Sequence, residues 1–109
     1  MALEHLQPGQ VANVQPYGAA LASASDTALF KSAELEVMRL VLPKGKSMPA
    51  HQVNGEITIQ CLEGVVEVDA NTSTPAILKA GHLLFLQGGA PHALLALEDA
   101  SVLVTIVVK

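Results

Sequence analysis

The chain has 109 residues, of which 50% are hydrophobic and 15% are charged, and its formal net charge is −4. This length suits one small domain, and this composition excludes a disordered chain. The weak negative charge forms no basic patch, so we expect neither nucleic acid nor a membrane as a partner.

The cysteine count and the first residues bear on the cellular compartment. Cys61 is the only cysteine, which excludes an intramolecular disulfide and a cysteine-rich zinc site. Residues 1–10 include Glu4, His5 and Pro8 and contain no long apolar stretch. We therefore expect no signal peptide, no membrane-spanning segment and a cytoplasmic location.

The chain divides by pattern into residues 1–28 and residues 29–109. We interpret residues 1–28 as an N-terminal arm that can pack on a partner subunit. Within it, Val11–Ala24 is rich in small residues and is expected to be loop or weak strand, with a short helical turn at Ala19–Ala22. Residues 29–109 are expected to form a single barrel domain.

From Leu29 onward, short apolar runs alternate with turn residues. Runs of this length, about 8 to 12 residues apart, indicate an all-β sandwich or barrel. The predicted strands are Ala33–Leu42, Glu56–Leu62, Val65–Ala70, Ala76–Lys79, His82–Leu86, Pro91–Leu97 and Val102–Val108.

Alternation within the strands predicts which faces are buried. Val66 and Val68 share one face of their strand, and Glu67 and Asp69 share the other, so that strand is half exposed. The run Val102–Val108 is apolar on both faces except at Thr105, so both faces need cover. We expect a homodimer that buries one sheet face. The alternative is cover by the N-terminal arm of the same chain.

Two histidines carry the strongest chemical information. His51 and His92 each follow a turn segment and each lies near an apolar run. Imidazole is the side chain best suited to bind a divalent transition metal or to move a proton near neutral pH. Two converging imidazoles would therefore define a site.

The segment Gly45–Gly64 resembles the first motif of a small single-domain cupin. The motif glycines, its proline and its first histidine are matched by Gly45, Pro49, His51 and Gly64. The positions of the second histidine and of the glutamate hold Val53 and Ile57.

The segment Gly81–His92 resembles the second cupin motif. Its glycines and histidine are matched by Gly81, Gly89 and His92. Gln87 stands in place of the proline and Ala96 in place of the asparagine. The resemblance covers about residues 29–108.

The resemblance implies an all-β, cupin-type jelly-roll barrel, which is a double-stranded β-helix of two antiparallel sheets. The two motifs would lie on neighbouring strands, with His51 and His92 pointing into the barrel mouth. In full cupins, three histidines and a glutamate bind iron, manganese, zinc, nickel or copper. This chain departs from that set at Val53 and Ile57.

Two imidazoles alone would leave a divalent metal such as Zn, Fe, Mn or Ni weakly held, because such sites usually have three or four protein ligands. Glu56 is the nearest carboxylate to the motif position. A one-residue bulge would turn it inward; otherwise alternation sends it outward with Thr58 and Gln60.

Three functions remain open at this stage. The first is binding of a small molecule in the barrel, with His51 and His92 as polar anchors. The second is a metal-dependent oxygenase or isomerase that uses His51, His92 and Glu56. The third is metal-free acid–base catalysis by a histidine. The non-functional alternative is that both rings line an apolar cavity and only hydrogen-bond to backbone, to water or to each other. The expected apolar lining of the pocket is Val53, Ile57, Ile59 and Cys61.

The remaining candidates have simpler interpretations. Cys61 shares strand parity with Ile57 and Ile59, so we expect it to be a buried free cysteine rather than a nucleophile. His5 and His82 are expected to be ordinary surface residues.

Overall fold

The computed structural model describes residues 5–51, 53–70 and 74–108, with residues 49–51 described by their backbone alone. This part of the chain forms one 3-10 helix and nine strands. In chain order these are the 3-10 helix Gly18–Ser23, then β1 (Thr27–Lys31), β2 (Leu35–Leu42), β3 (Ser47–His51), β4 (Ile57–Glu63), β5 (Val65–Asp69), β6 (Ala76–Lys79), β7 (Leu83–Leu86), β8 (His92–Ala96) and β9 (Ala100–Val107).

The strands form two antiparallel sheets that face each other. Sheet A has five strands in the order β1-β2-β9-β4-β7, and sheet B has four in the order β3-β8-β5-β6. Successive strands from β2 to β9 cross between the sheets rather than forming hairpins within one sheet, except at β5–β6. This is a jelly roll, and the predicted fold class is confirmed.

All seven strands predicted from the sequence occur, with their ends shifted by at most two residues. The shift is two residues at the start of β2, where Ala33 and Glu34 form a bend before the strand begins at Leu35, and two at the start of β9, which begins at Ala100. The predicted helical turn at Ala19–Ala22 lies inside the 3-10 helix. Turn residues 71–73, expected after β5, lie outside the described residues.

Two strands, β1 and β3, were not predicted from the sequence. β1 begins at Thr27, two residues before the expected start of the barrel domain, and it has a bulge between Ala28 and Phe30. β3 contains Pro49, which cannot donate a ladder hydrogen bond. Proline is tolerated there because β3 is an edge strand of sheet B.

The core lies between the two sheets and follows the predicted alternation. Val66 and Val68 are at most 1% exposed, whereas Asp69, on the other face of β5, is exposed. In sheet A, β2, β4, β7 and β9 contribute alternate residues to the same interior. The core cluster consists of Leu42, Ile57, Ile59, Cys61, Val66, Val68, Leu78, Leu86, Leu94, Ala96, Ala100, Val102 and Val104.

The segment before β1 packs against its own barrel, and we call its described part, residues 5–26, the arm. The Leu6 amide donates to the Leu29 carbonyl at 2.8 Å. At the other end, Asp26 Oδ1 accepts the Val41 amide at 2.7 Å. Between these points the arm crosses the outer face of sheet A, the face turned away from the core. No helix in the described part of the chain is long and apolar enough to cross a membrane.

Candidate functional site

The fold brings the two motif histidines together. His51 ends β3 and His92 begins β8, and these two strands are antiparallel neighbours in sheet B. The register pairs His51 directly with His92, after an irregularity that begins beyond Met48. Paired residues of an antiparallel ladder have Cα atoms about 4.5 to 5.5 Å apart. The orientation expected for the His51 side chain lies outside the described residues.

His92 is a buried polar side chain. It is 2% exposed, and it follows Pro91 at the point where β8 begins. Its Nδ1 lies 3.2 Å from the Ala90 carbonyl oxygen. Because a carbonyl oxygen only accepts hydrogen bonds, this contact favours the tautomer with the proton on Nδ1. In the neutral ring, Nε2 is then the acceptor nitrogen.

The apolar candidates lie in the same interior. Ile57, Ile59 and Cys61 are 3%, 1% and 0% exposed, and all three belong to the core cluster. Val53, at the motif position of the second histidine, is partly buried against that cluster. It also borders a cleft of about 370 Å³ at this end of sheet A. The cleft is lined by Glu36, Val53, Asn54, Gly55, Ile106, Val107 and Val108.

The donor set does not fit the complete metal site that the family resemblance implies. Val53 and Ile57 supply no nitrogen or oxygen ligand from their side chains. Glu56 is exposed and precedes β4, while the irregularity of β4 lies between Cys61 and Glu63. Among the described side chains, no group of three histidine, cysteine, aspartate or glutamate residues is placed to hold a metal ion.

Cys61 has the environment of a structural thiol. Its Sγ donates weakly to the carbonyl oxygens of Glu63 and Gly64, at 3.4 and 3.5 Å. Burial raises the pKa of the Cys61 thiol, the hydrogen bond with the Glu63 backbone opposes this rise, and the nearby Glu63 charge adds to it. Because the thiolate is the nucleophile, a raised pKa makes the thiol less reactive.

The other two histidines lie on the surface, as their positions in the sequence suggested. His5 and His82 are both exposed. His82 Nδ1 accepts the Lys79 amide at 3.0 Å and so closes the turn between β6 and β7.

A second polar cluster, which the sequence did not single out, lies where the arm crosses sheet A. Arg39 is 3% exposed, and its guanidinium lies 3.1 Å from Glu63 Oε2 and 3.0 Å from Ser101 Oγ. The same guanidinium donates to the Gln15 carbonyl at 2.8 Å and lies 3.8 Å from the centre of the Tyr17 ring. The cluster therefore fastens the arm to the barrel.

Glu63 is the acceptor at the centre of this cluster. Its two carboxylate oxygens accept the amides of Tyr17 and Gly18, at 3.0 and 3.1 Å, and the Ser101 hydroxyl at 2.6 Å. Burial alone would raise the pKa of Glu63. The hydrogen bonds from Ser101, Tyr17 and Gly18, with the positive charge of Arg39, outweigh burial and lower that pKa.

One sequence feature points to this cluster. Arg39 is the only charged residue in the apolar run from Val37 to Leu42. A lone cation in a strand that is apolar on both faces requires a buried partner. The sequence does not identify that partner, because Glu63 lies at a predicted strand end.

Comparison with known proteins locates the fold but not an activity. No family model matches the sequence, and no curated protein matches it. The structure is similar to an RmlC-like cupin protein from Desulfovibrio desulfuricans, with 26% identity, a TM-score of 0.69, and coverage of 75% of this chain and 79% of that one. It is also similar to a cupin superfamily protein from Desulfitobacterium hafniense, with 13% identity, a TM-score of 0.77, and full coverage of both chains.

Enzymes are among the similar structures. The DMSP lyase DddQ from Ruegeria pomeroyi matches with a TM-score of 0.70 and 24% identity, over 76% of this chain and 46% of the lyase. At this identity the likeness shows the fold alone, since one fold hosts many chemistries.

Proposed function

Because this chain has the fold of the small RmlC-like cupin proteins, we propose that it binds a small molecule inside the barrel, with His51 and His92 as polar anchors. The observation that carries the proposal is the register between β3 and β8, which pairs the two histidines directly. Both motif positions that would complete a metal site are apolar, at Val53 and Ile57.

The surroundings of the pair suit an organic ligand. Binding pockets for small molecules are mostly apolar and contain a few convergent polar groups. Here the apolar lining would come from Ile57, Ile59 and Cys61 on the inner face of β4 and from Val53. Val53 also lines the cleft of about 370 Å³ that it shares with Gly55 and Ile106.

The chemistry of the pair limits the ligand class. A neutral imidazole offers one donor and one acceptor, and a protonated one offers two donors. The ligand that matches is a small, largely apolar molecule with a hydroxyl or carboxyl group. A highly charged ligand does not match, because the described residues of the inner face of β4, Ile57, Ile59 and Cys61, offer no charge to compensate it.

The test is to analyse what the protein carries after purification without chelator. Three proteins are compared: wild type, the double variant His51→Ala with His92→Ala, and the control His5→Ala, which removes an exposed histidine of the arm. Bound organic molecules are extracted and identified by mass spectrometry, and metals are quantified in the same samples. Thermal unfolding establishes that each variant is folded.

We expect one organic molecule to accompany the wild type and the His5→Ala control and to be lost from the double variant. Metal is expected well below one ion per chain. Near-stoichiometric metal that disappears in the double variant would overturn the proposal in favour of a metal-dependent enzyme. Equal retention of the organic molecule by all three proteins would show that the histidines are not its anchors.

A further inference from the structure

A cavity of about 520 Å³ lies where the end of the arm meets the barrel. Its walls are the end of the 3-10 helix and the residues after it, the end of β2, the turn between β2 and β3, and the bend between β8 and β9. Lys46 directly precedes β3 and Asp99 lies in the bend after β8, whereas His51 ends β3 and His92 begins β8. The cavity is therefore at the end of the barrel opposite the two histidines, and it is independent of the proposed binding site.

Part of the cavity wall is apolar and held rigidly. It consists of Leu21 from the 3-10 helix, Val41 and Leu42 from the end of β2, and Pro43 after them. Val41 and Leu42 are 8% and 1% exposed, so the core fixes their positions. An apolar group of a ligand that lies against this wall loses contact with water, which favours binding.

Two carboxylates line the cavity, and backbone amides hold both in place. Asp26 Oδ1 accepts the Val41 amide, and Asp99 Oδ1 accepts the Lys44 amide, both at 2.7 Å. A carboxylate has two acceptor oxygens. Among the described residues, no hydrogen bond reaches the second oxygen of either side chain. These two oxygens can therefore accept hydrogen bonds from an ammonium group of a ligand.

Lys46 adds a positive charge to the same cavity. Its backbone is fixed, because its amide donates to the Pro43 carbonyl at 2.9 Å and its carbonyl accepts the Ala96 amide at 3.0 Å. Within the described part of the chain, the ion pairs are those of Lys31 and Arg39, so the Lys46 ammonium has no carboxylate partner there. An ammonium donates up to three hydrogen bonds and attracts a carboxylate.

We propose that this cavity binds a small zwitterion with an ammonium, a carboxylate and an apolar group, which is the chemistry of a hydrophobic amino acid. The ammonium bonds to Asp26 and Asp99, the carboxylate bonds to Lys46, and the apolar group lies against the wall formed by the end of β2. Binding pockets for small molecules commonly measure roughly 300 to 1,000 Å³, and this cavity falls within that range.

The mixed charges also select against simpler ligands. An amine without a carboxylate is repelled by Lys46, and a carboxylic acid without an ammonium is repelled by Asp26 and Asp99. Repulsion of this kind contributes to specificity as much as attraction does. A ligand with both groups meets opposite charge at each end.

Calorimetric titration with three probes that share one apolar group tests the ligand class. L-leucine carries both charged groups, isopentylamine lacks the carboxylate, and 4-methylpentanoate lacks the ammonium. We expect leucine to bind with a dissociation constant below about 1 mM and each of the other two to bind at least about tenfold more weakly.

Four charge-removing variants test the location. Lys46→Gln and Asp99→Asn each remove one charge of the cavity, and the asparagine keeps an oxygen for the Lys44 amide. The matched controls are Lys44→Gln and Glu98→Gln, which remove the same charges from neighbouring residues outside the cavity lining. All four residues are exposed, so circular dichroism should show the wild-type fold. We expect the dissociation constant for leucine to rise at least about fivefold in the cavity variants and less than about twofold in the controls.

The amides of Val41 and Lys44 give an independent readout, because the two carboxylates hold them. Their NMR signals should shift as leucine is added. Absence of leucine binding up to about 10 mM would overturn the proposal, as would equal effects of the cavity variants and their controls. Isopentylamine binding as tight as that of leucine would exclude Lys46 as the partner of a carboxylate and would therefore exclude a zwitterion as the ligand.

Discussion

Arg39 and Glu63 form a buried ion pair between two strands of sheet A that are not neighbours, with β9 between them. Arg39 lies on β2, Glu63 ends β4, and Nη2 of the arginine is 3.1 Å from Oε2 of the glutamate. Ser101, on the intervening β9, bonds to both partners. The pair thus links three strands and the arm.

Removing the charge of Glu63 should destabilise the protein strongly. Glu63→Gln leaves the buried Arg39 without its counter-ion and replaces an acceptor oxygen with a donor opposite the Tyr17 or Gly18 amide. The expected loss is about 3 kcal/mol in the free energy of unfolding, measured by urea denaturation at pH 7.

The matched control is Glu36→Gln. The Glu36 carboxylate lies 3.7 Å from Lys31 Nζ, and the side chains of Glu36 and Lys31 are 26% and 61% exposed. A surface pair of this kind contributes little, so the expected loss is below about 1 kcal/mol. Equal losses for the two variants would contradict a special role of the buried pair.

Glu63 should also make the stability depend on acid pH. Its pKa in the folded protein is lowered from the ordinary value of 4.5, so the folded state favours the charged form. The stability that this charge contributes is complete above about pH 5.5 and decreases as the pH falls through 4.5 and then through the lower folded pKa. The difference in unfolding free energy between wild type and Glu63→Gln should therefore shrink on acidification. A difference that stays constant from pH 7 to pH 3 would exclude this assignment.

The glycine that follows Glu63 should be intolerant of any side chain. Gly64 has a φ of +82°, and a Cβ built there would clash with the Asp99 carbonyl oxygen. Gly45 has a φ of +87° and open space around it. We expect Gly45→Ala to cost about 1 to 2 kcal/mol through backbone strain alone, and Gly64→Ala to cost clearly more because the clash is with backbone. Urea denaturation of both variants separates the two contributions.

Cys61 should be unreactive while the protein is folded. The side chain is 0% exposed and its pKa is raised by burial, so both access and thiolate formation are limited. Reaction with an aromatic disulfide reagent at pH 8 should be at least about a thousandfold slower than in 8 M urea, because it requires an opening of the core. Rapid reaction of the folded protein would show instead that Cys61 is accessible. Cys61 would then have to be considered again as a nucleophile.

The sequence anticipated those features that depend on local periodicity. The two-residue alternation in Val65–Asp69 identified its buried face, and parity along β4 placed Cys61 inside with Ile57 and Ile59. Features that depend on contacts between residues distant in the sequence could not be predicted from it. Glu63 accepts hydrogen bonds from the Tyr17 and Gly18 amides of the arm, which lie 46 and 45 positions away in the sequence. No pattern within either segment predicts this contact.

For the candidate site, too, the local features could be predicted from the sequence and the long-range contacts could not. The glycine and histidine spacing located His51 and His92, but their register follows from how β3 and β8 pair. The sequence did not predict β3, because this strand contains Pro49 and proline normally argues against a strand. The sequence predicts a separate N-terminal segment, but it does not predict the attachment of that segment through Arg39, because the composition does not distinguish Arg39 from the other five cations.

The central position of β9 has a consequence for how the molecule assembles. In the described part of the chain, β9 is the strand that pairs with both the β1–β2 side of sheet A and the β4–β7 side, and it follows both in chain order. Neither side can join the other until residues 100–107 have been synthesised and inserted. The edges of β2 and β4 that face β9 therefore stay unpaired until β9 is in place, and that interval is the period of greatest aggregation risk.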